Sequence, residues 1–184
     1  MYTDLTGWNK MHTIRYTAIL LILLLLCSCG NSNMKQAAQS RPGENEMADL
    51  NRYLIQKDKE RILNYIERKN LKMTESSTGL WYHILEEGSG ETFTDGSRVI
   101  MEYECSLLDG TKCYSSETLG AKELIIGRSV MEAGMNEGLR ILRPGARAIF
   151  IFPPFMAYGL VGDRKMIPSR AVVVYNVNIL QTSK

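Results

Sequence analysis

Two strand-like runs rich in β-branched and aromatic residues, Ala146–Phe152 and Ala171–Leu180, constrain the fold of this chain more than any other feature. Just before the first of them, Met131–Leu142 changes period. Met131, Met135, Leu139 and Leu142 fall on one helical face, and Pro144-Gly145 ends the run. Upstream, Gly79–Leu85, Arg98–Leu107, Lys112–Ser115 and Glu123–Ile126 read as short strands. Gly88-Ser89-Gly90, Asp95-Gly96 and Asp109-Gly110 punctuate them as turns. One short helix among several short strands predicts an α+β fold, an antiparallel sheet packed over that helix.

The first 28 residues read differently. Ala18–Leu26 is an unbroken apolar run, too short to span a bilayer as a mature helix. His12 and Arg15 precede it and small residues follow, the pattern of a secretory signal peptide. Met11 is an equally good start. The segment Leu26-Cys27-Ser28-Cys29 resembles a bacterial lipobox, with Cys29 as acceptor. That resemblance implies lipid on Cys29, a membrane anchor made of several acyl chains, and a domain held outside the cytoplasm in the cell envelope, on the periplasmic side. The competing expectation is a soluble secreted protein cut near Cys29.

Of 184 residues, 45% are hydrophobic and 23% charged, and the net charge is +2. Removing 28 residues takes away two bases and one acid, which leaves +1. Such a balance argues against nucleic-acid binding. The chain has two histidines, His12 in the leader and His83 in a strand-like segment, too few for a histidine metal site or a Ser/His pair. No metal or cofactor is expected. Cys105 and Cys113 flank the Asp109-Gly110 turn, and a two-residue loop would place them on opposite faces of the ribbon, where no bridge forms. A longer turn would change that.

Residues 29–45 are polar and carry Pro42, as a solvated tether does. From Glu46 to about Lys69, Met47, Leu50, Leu54, Ile62, Tyr65 and Ile66 fall on or near one helical face, in a segment with its linker of 46–77. This stripe is expected to pack on the body of the chain, with homodimerisation through the 46–69 helix as the alternative. The domain itself is expected at 78–184, and a chain starting near Lys72 is expected to fold.

Within 78–184 a family resemblance emerges. Pro153-Pro154-Phe155-Met156-Ala157-Tyr158-Gly159 resembles the "PP-x-x-AYG" segment of FKBP-type peptidyl-prolyl isomerases, and Met166-Ile167-Pro168 their "IP" segment. Val99–Tyr103 with Asp109-Gly110-Thr111 resembles the "V-x-Y … DG" hairpin, and Val130–Leu139 the "V-I-x-G-W-x-E-G-L" start of the helix. Order and spacing also match the family.

The resemblance implies an apolar bowl between sheet and helix that binds proline-containing polypeptides. Carried over by position, its lining is Tyr103, Leu124, Met131, Glu132, Met135 as floor, Ile167 and Tyr175, with Tyr158 on the rim as a hydroxyl donor to the peptide. Cys113 and Tyr114, also expected in the pocket, stand where the family usually has Phe and Asp, Lys122 replaces another Phe, and Met135 replaces Trp. The run Cys113-Tyr114-Ser115-Ser116 is similar to the "Y-S-S" form of gliding-motility-associated FKBP-like lipoproteins. Prolyl isomerisation is the implied activity. A low-activity binding module or chaperone of an envelope assembly is the rival.

Overall fold

The computed structural model describes residues 43–180. The expectations for the leader, for Cys29 and for most of the tether lie outside the described residues. Helix α1 (Glu44–Lys69) comes first, then β1 (Thr74–Glu75), β2 (Trp81–Glu86), β3 (Arg98–Leu107) and β4 (Lys112–Ser115). A one-turn helix, α2 (Ser116–Leu119), leads into β5 (Lys122–Ile125) and then α3 (Ala133–Arg140). β6 (Arg147–Phe152), a 3-10 turn (Pro154–Met156) and β7 (Val173–Ile179) complete the order.

All strand pairings are antiparallel, in the order β1-β2-β6-β7-β3-β4. The outer edge of β3 is shared. Arg98–Met101 pairs with β5 and Glu104–Ser106 with β4. Tyr103 lies in the gap between the two. There the Ser116 hydroxyl accepts the Tyr103 N–H at 3.0 Å and lies 3.3 Å from its carbonyl. One side chain thus supplies the ladder bonds a missing strand would have made.

Period-2 alternation sends Val99, Met101 and Cys105 inward from β3, and Val173, Tyr175, Val177 and Ile179 inward from β7. Helix α3 crosses this inner face with Met135, Leu139 and the following Leu142 in the core. Two glycines four apart, Gly134 and Gly138, make the approach close enough for that packing. Their Cβ positions would lie 2.6 Å from the Phe152 ring and 2.9 Å from the Phe150 ring.

Helix α1 covers part of the outer face. Ile62, with Tyr65 and Ile66, packs on Trp81, Ile151, Val172 and Val174. Asp58, 4% exposed, pairs with Arg170 at 2.7 Å. Only the C-terminal half of the stripe docks; Met47, Leu50, Tyr53 and Ile55 stay exposed. The reason is length. Twenty-six residues span about 39 Å, while a six-residue strand spans about 20 Å. The segment after α1 is tied in as well. Ser76 and Thr78 donate to Glu137 of α3 at 2.9 and 2.6 Å.

The β3–β4 turn is longer than a two-residue loop. Leu107 N–H donates to the Thr111 carbonyl at 2.9 Å, and the register shifts so that Cys113 has no partner on β3. Cys105 and Cys113 are both free thiols; Cys105 is buried, and burial pushes its thiol up to about 12.

Candidate functional site

The gap between β4 and β5 opens into a cavity of about 320 Å³. Tyr103 comes from the strand with the gap, Tyr114 from β4, Tyr175 from β7 and Tyr158 from the loop after the 3-10 turn. The Tyr103 and Tyr175 rings are 6.2 Å apart, and Tyr175 stacks obliquely on Phe152 at 5.3 Å. Four tyrosine rings in the lining suit a compact apolar ring such as that of proline.

Of the ten residues expected in the pocket, these four tyrosines come together as its lining. Leu124, Met135 and Ile167 are buried in the core. Met131 is half-buried and packs against the same cluster. Cys113 does not line the cavity, because its bulged position turns Sγ toward the Met166 carbonyl at 3.7 Å. Leu119, Lys122, Asp163 and Lys165 complete the lining. Of these, only Lys122 carried a sequence signal, as the replacement of a family Phe. Neither lysine forms an ion pair among the described residues.

Glu132 holds the N-cap position of α3 with extended backbone, but its side chain makes no capping bond. It turns to the tyrosines. Its Oε1 accepts the Tyr158 hydroxyl and lies 3.3 Å from the Tyr175 hydroxyl, and the two hydroxyls are 3.0 Å apart. Burial, reinforced by the Glu132 carboxylate, holds both phenols well above their ordinary value, so both stay protonated. Tyr158, expected as a donor to peptide, therefore already spends its proton inside the protein.

A second network ties the rim down. Tyr114 donates to Asp163 Oδ2, while Asp163 Oδ1 accepts the Lys165 and Ile167 amides, each at 2.8 Å. Burial works to raise the Asp163 carboxyl, but these donors outweigh it and hold the group below the ordinary carboxylate value. Tyr114 thus stands where the resembled family has an aspartate, and a carboxylate reaches the same rim from another loop. Among the described residues no cluster of His, Cys, Asp or Glu is arranged to hold a metal, and no helix is long and apolar enough to cross a membrane.

Comparison with known proteins agrees with this architecture. The sequence pattern described as FKBP-type peptidyl-prolyl cis-trans isomerase matches residues 89–180. The FKBP-type isomerase FkpA of Escherichia coli (strain K12) is 32% identical over 149 residues, 81% of this chain and 52% of that protein. Mip of Coxiella burnetii is 32% identical over 108 residues, 59% of this chain and 46% of Mip. The crystal structure of FkpA from Escherichia coli superposes with a TM-score of 0.60 at 27% identity, covering 79% of this chain and 68% of that one. The chain spans about half the length of these curated relatives.

Proposed function

Since this chain belongs to the FKBP-type peptidyl-prolyl cis-trans isomerase family, we propose that it catalyses cis-trans exchange at X-Pro bonds of polypeptide clients in the tyrosine-lined cavity. The observation that carries this reading is the convergence of Tyr103, Tyr114, Tyr158 and Tyr175 on one cavity backed by core side chains. The imide bond is held planar by resonance, with a barrier of about 18–20 kcal/mol, and uncatalysed exchange takes on the order of 10–100 s. Seating the proline ring among aromatic faces strips water from the imide. Water stabilises the planar, charge-separated form, so its removal favours rotation. A wall that fits the twisted imide better than either planar isomer adds to this. No nucleophile, metal or cofactor is required.

A protease-free prolyl isomerisation assay on the full chain tests the reading. Turnover is expected, and Tyr103→Ala is expected to lower kcat/KM about three- to ten-fold, the worth of one aromatic contact. Binding of proline peptides without any turnover favours the rival, a binding module or chaperone. Lys122 on the cavity wall and Met135 in the core support that second reading, since each replaces a family aromatic.

The lipoprotein form rests on Leu26-Cys27-Ser28-Cys29 after a short apolar run, together with the Tyr114-Ser115-Ser116 resemblance. It places the domain at the envelope, outside the cytoplasm. Cys29→Ala is expected to leave an uncleaved precursor that takes up no fatty-acid label. Continued labelling in that variant transfers the acceptor role to Cys27.

A further inference from the structure

The isomerase reading of the tyrosine pocket gives no role to Glu132, the carboxylate that faces the Tyr158 and Tyr175 hydroxyls. Tyr158 has a single hydroxyl proton. Among the described residues the acceptors within its reach are Glu132 Oε1 and the Tyr175 oxygen, 3.0 Å away. Tyr175 brings a proton of its own, and it can pass this to Glu132 at 3.3 Å or to the Tyr158 oxygen. In either arrangement the Tyr158 proton points inward. The carboxylate is not short of capacity, because its Oε2 is buried with no donor at all. Nothing therefore drives the Tyr158 proton off Glu132 toward solvent, and a charge-assisted bond of this kind is about twice as strong as a neutral one. The other charged groups on the cavity wall are Lys122, Lys165 and Asp163. Asp163 is occupied by Tyr114 and two backbone amides.

We propose that Glu132 is a positioning residue that reverses the polarity of the Tyr158 hydroxyl, so that this rim offers the peptide an acceptor and selects an N–H donor there. The proposal rests on the isomerase reading of the same pocket. It differs from what the family resemblance implies, in which the rim tyrosine gives its proton to a peptide carbonyl. With Glu132 replaced by an apolar residue of similar size, Tyr175 keeps only the Tyr158 oxygen as acceptor and donates to it, so the Tyr158 hydroxyl is released to donate outward.

The test is a double-mutant cycle between Glu132→Leu and Tyr158→Phe in the full chain, read as kcat/KM on a proline peptide. Tyr158→Phe is expected to cost about two-fold in the parent and about five- to ten-fold in the Glu132→Leu background, where the hydroxyl makes a hydrogen bond to the peptide. Glu132→Gln, which keeps the size and one acceptor oxygen, is expected to fall between the two and covers the case in which the leucine variant does not fold. Equal costs in all backgrounds overturn the proposal, since a purely structural glutamate gives additive effects. A second readout needs no activity. The Tyr158 hydroxyl proton is expected as a slowly exchanging low-field resonance that disappears in Glu132→Leu and shifts in Glu132→Gln. If the parent has no such resonance, the assignment is wrong. A parent that turns over no X-Pro peptide sinks the isomerase reading instead, and the resonance then decides the role of Glu132 by itself.

Discussion

Gly134→Ala is expected to destabilise the domain by about 1–3 kcal/mol, the usual cost of forcing a methyl into a packed core. In a helix an alanine is normally worth about 0.5–1 kcal/mol more than glycine, so the sign is reversed here. The added Cβ would stand 2.6, 2.8 and 2.9 Å from three atoms of the Phe152 ring. That ring has little room to retreat. It is fully buried, with Phe150 stacked at 5.8 Å and Tyr175 at 5.3 Å. Any shift of Phe152 is passed to Tyr175, a wall of the pocket. The melting temperature and kcat/KM are therefore expected to fall together. Gly138→Ala meets Phe150, at 2.9 Å, and is the control one turn further on. A melting temperature unchanged or raised in Gly134→Ala would show that α3 can back away from the sheet and that the close approach is not needed.

Removing α1 is expected to cost still more. Ile62 is 1% exposed within the outer cluster, and Ile62→Ala by itself removes about 2–5 kcal/mol, the range for large-to-small changes in cores. A chain starting at Lys72 uncovers Trp81, Ile151, Val172 and Val174 together and leaves Arg170 without Asp58. The ion pair adds less than a fully buried one would, because the Arg170 side chain is 30% exposed. Trp81 reports the change directly, since the other tryptophan, Trp8, is absent from a chain starting at Lys72. Its emission is expected to shift to the red, with a lower urea midpoint. A truncated chain with an unshifted spectrum and the parent midpoint would make α1 an appendage.

The sequence was most readable where the signal is periodic. Arg98–Leu107 and Lys112–Ser115 stand as read, and β6 and β7 lie within the segments assigned to them. Their alternation is a local record of burial on one face. The elements that leave no mark in the sequence have no period. The two-residue β1 exists only because β2 offers an edge, and α2 exists because β4 must hand over to β5 across the gap at Tyr103. The pocket divides along the same line. Tyr103, Tyr114 and Tyr175 lie in strands and Tyr158 in a distinctive loop motif, so local patterns mark all four of the tyrosines that line the cavity. Asp163 and Lys165 sit in an aperiodic loop, held by the Asp163 bonds to the Lys165 and Ile167 amides and brought to the pocket rim by the Tyr114 hydroxyl, 49 positions away. Glu132 was placed at the start of the helix, but the direction of its side chain depends on two tyrosines far away in sequence, and no local pattern carries that.

The position of β7 governs when the chain can become a folded protein. Of the described strands β7 comes last in chain order, and it lies between β3 and β6, with ladder bonds to both. Until residues 173–179 have left the ribosome, β3 and β6 each keep an open edge, and Tyr103 and Phe152 lack the Tyr175 ring between them. Closing the sheet joins Met101 to Ile179, 78 positions apart, the kind of distant pairing that folds slowly. Every growing or partly threaded chain is thus an incomplete sheet with edges open to wrong partners. Folding of the sheet waits for β7, and the same event completes the tyrosine wall.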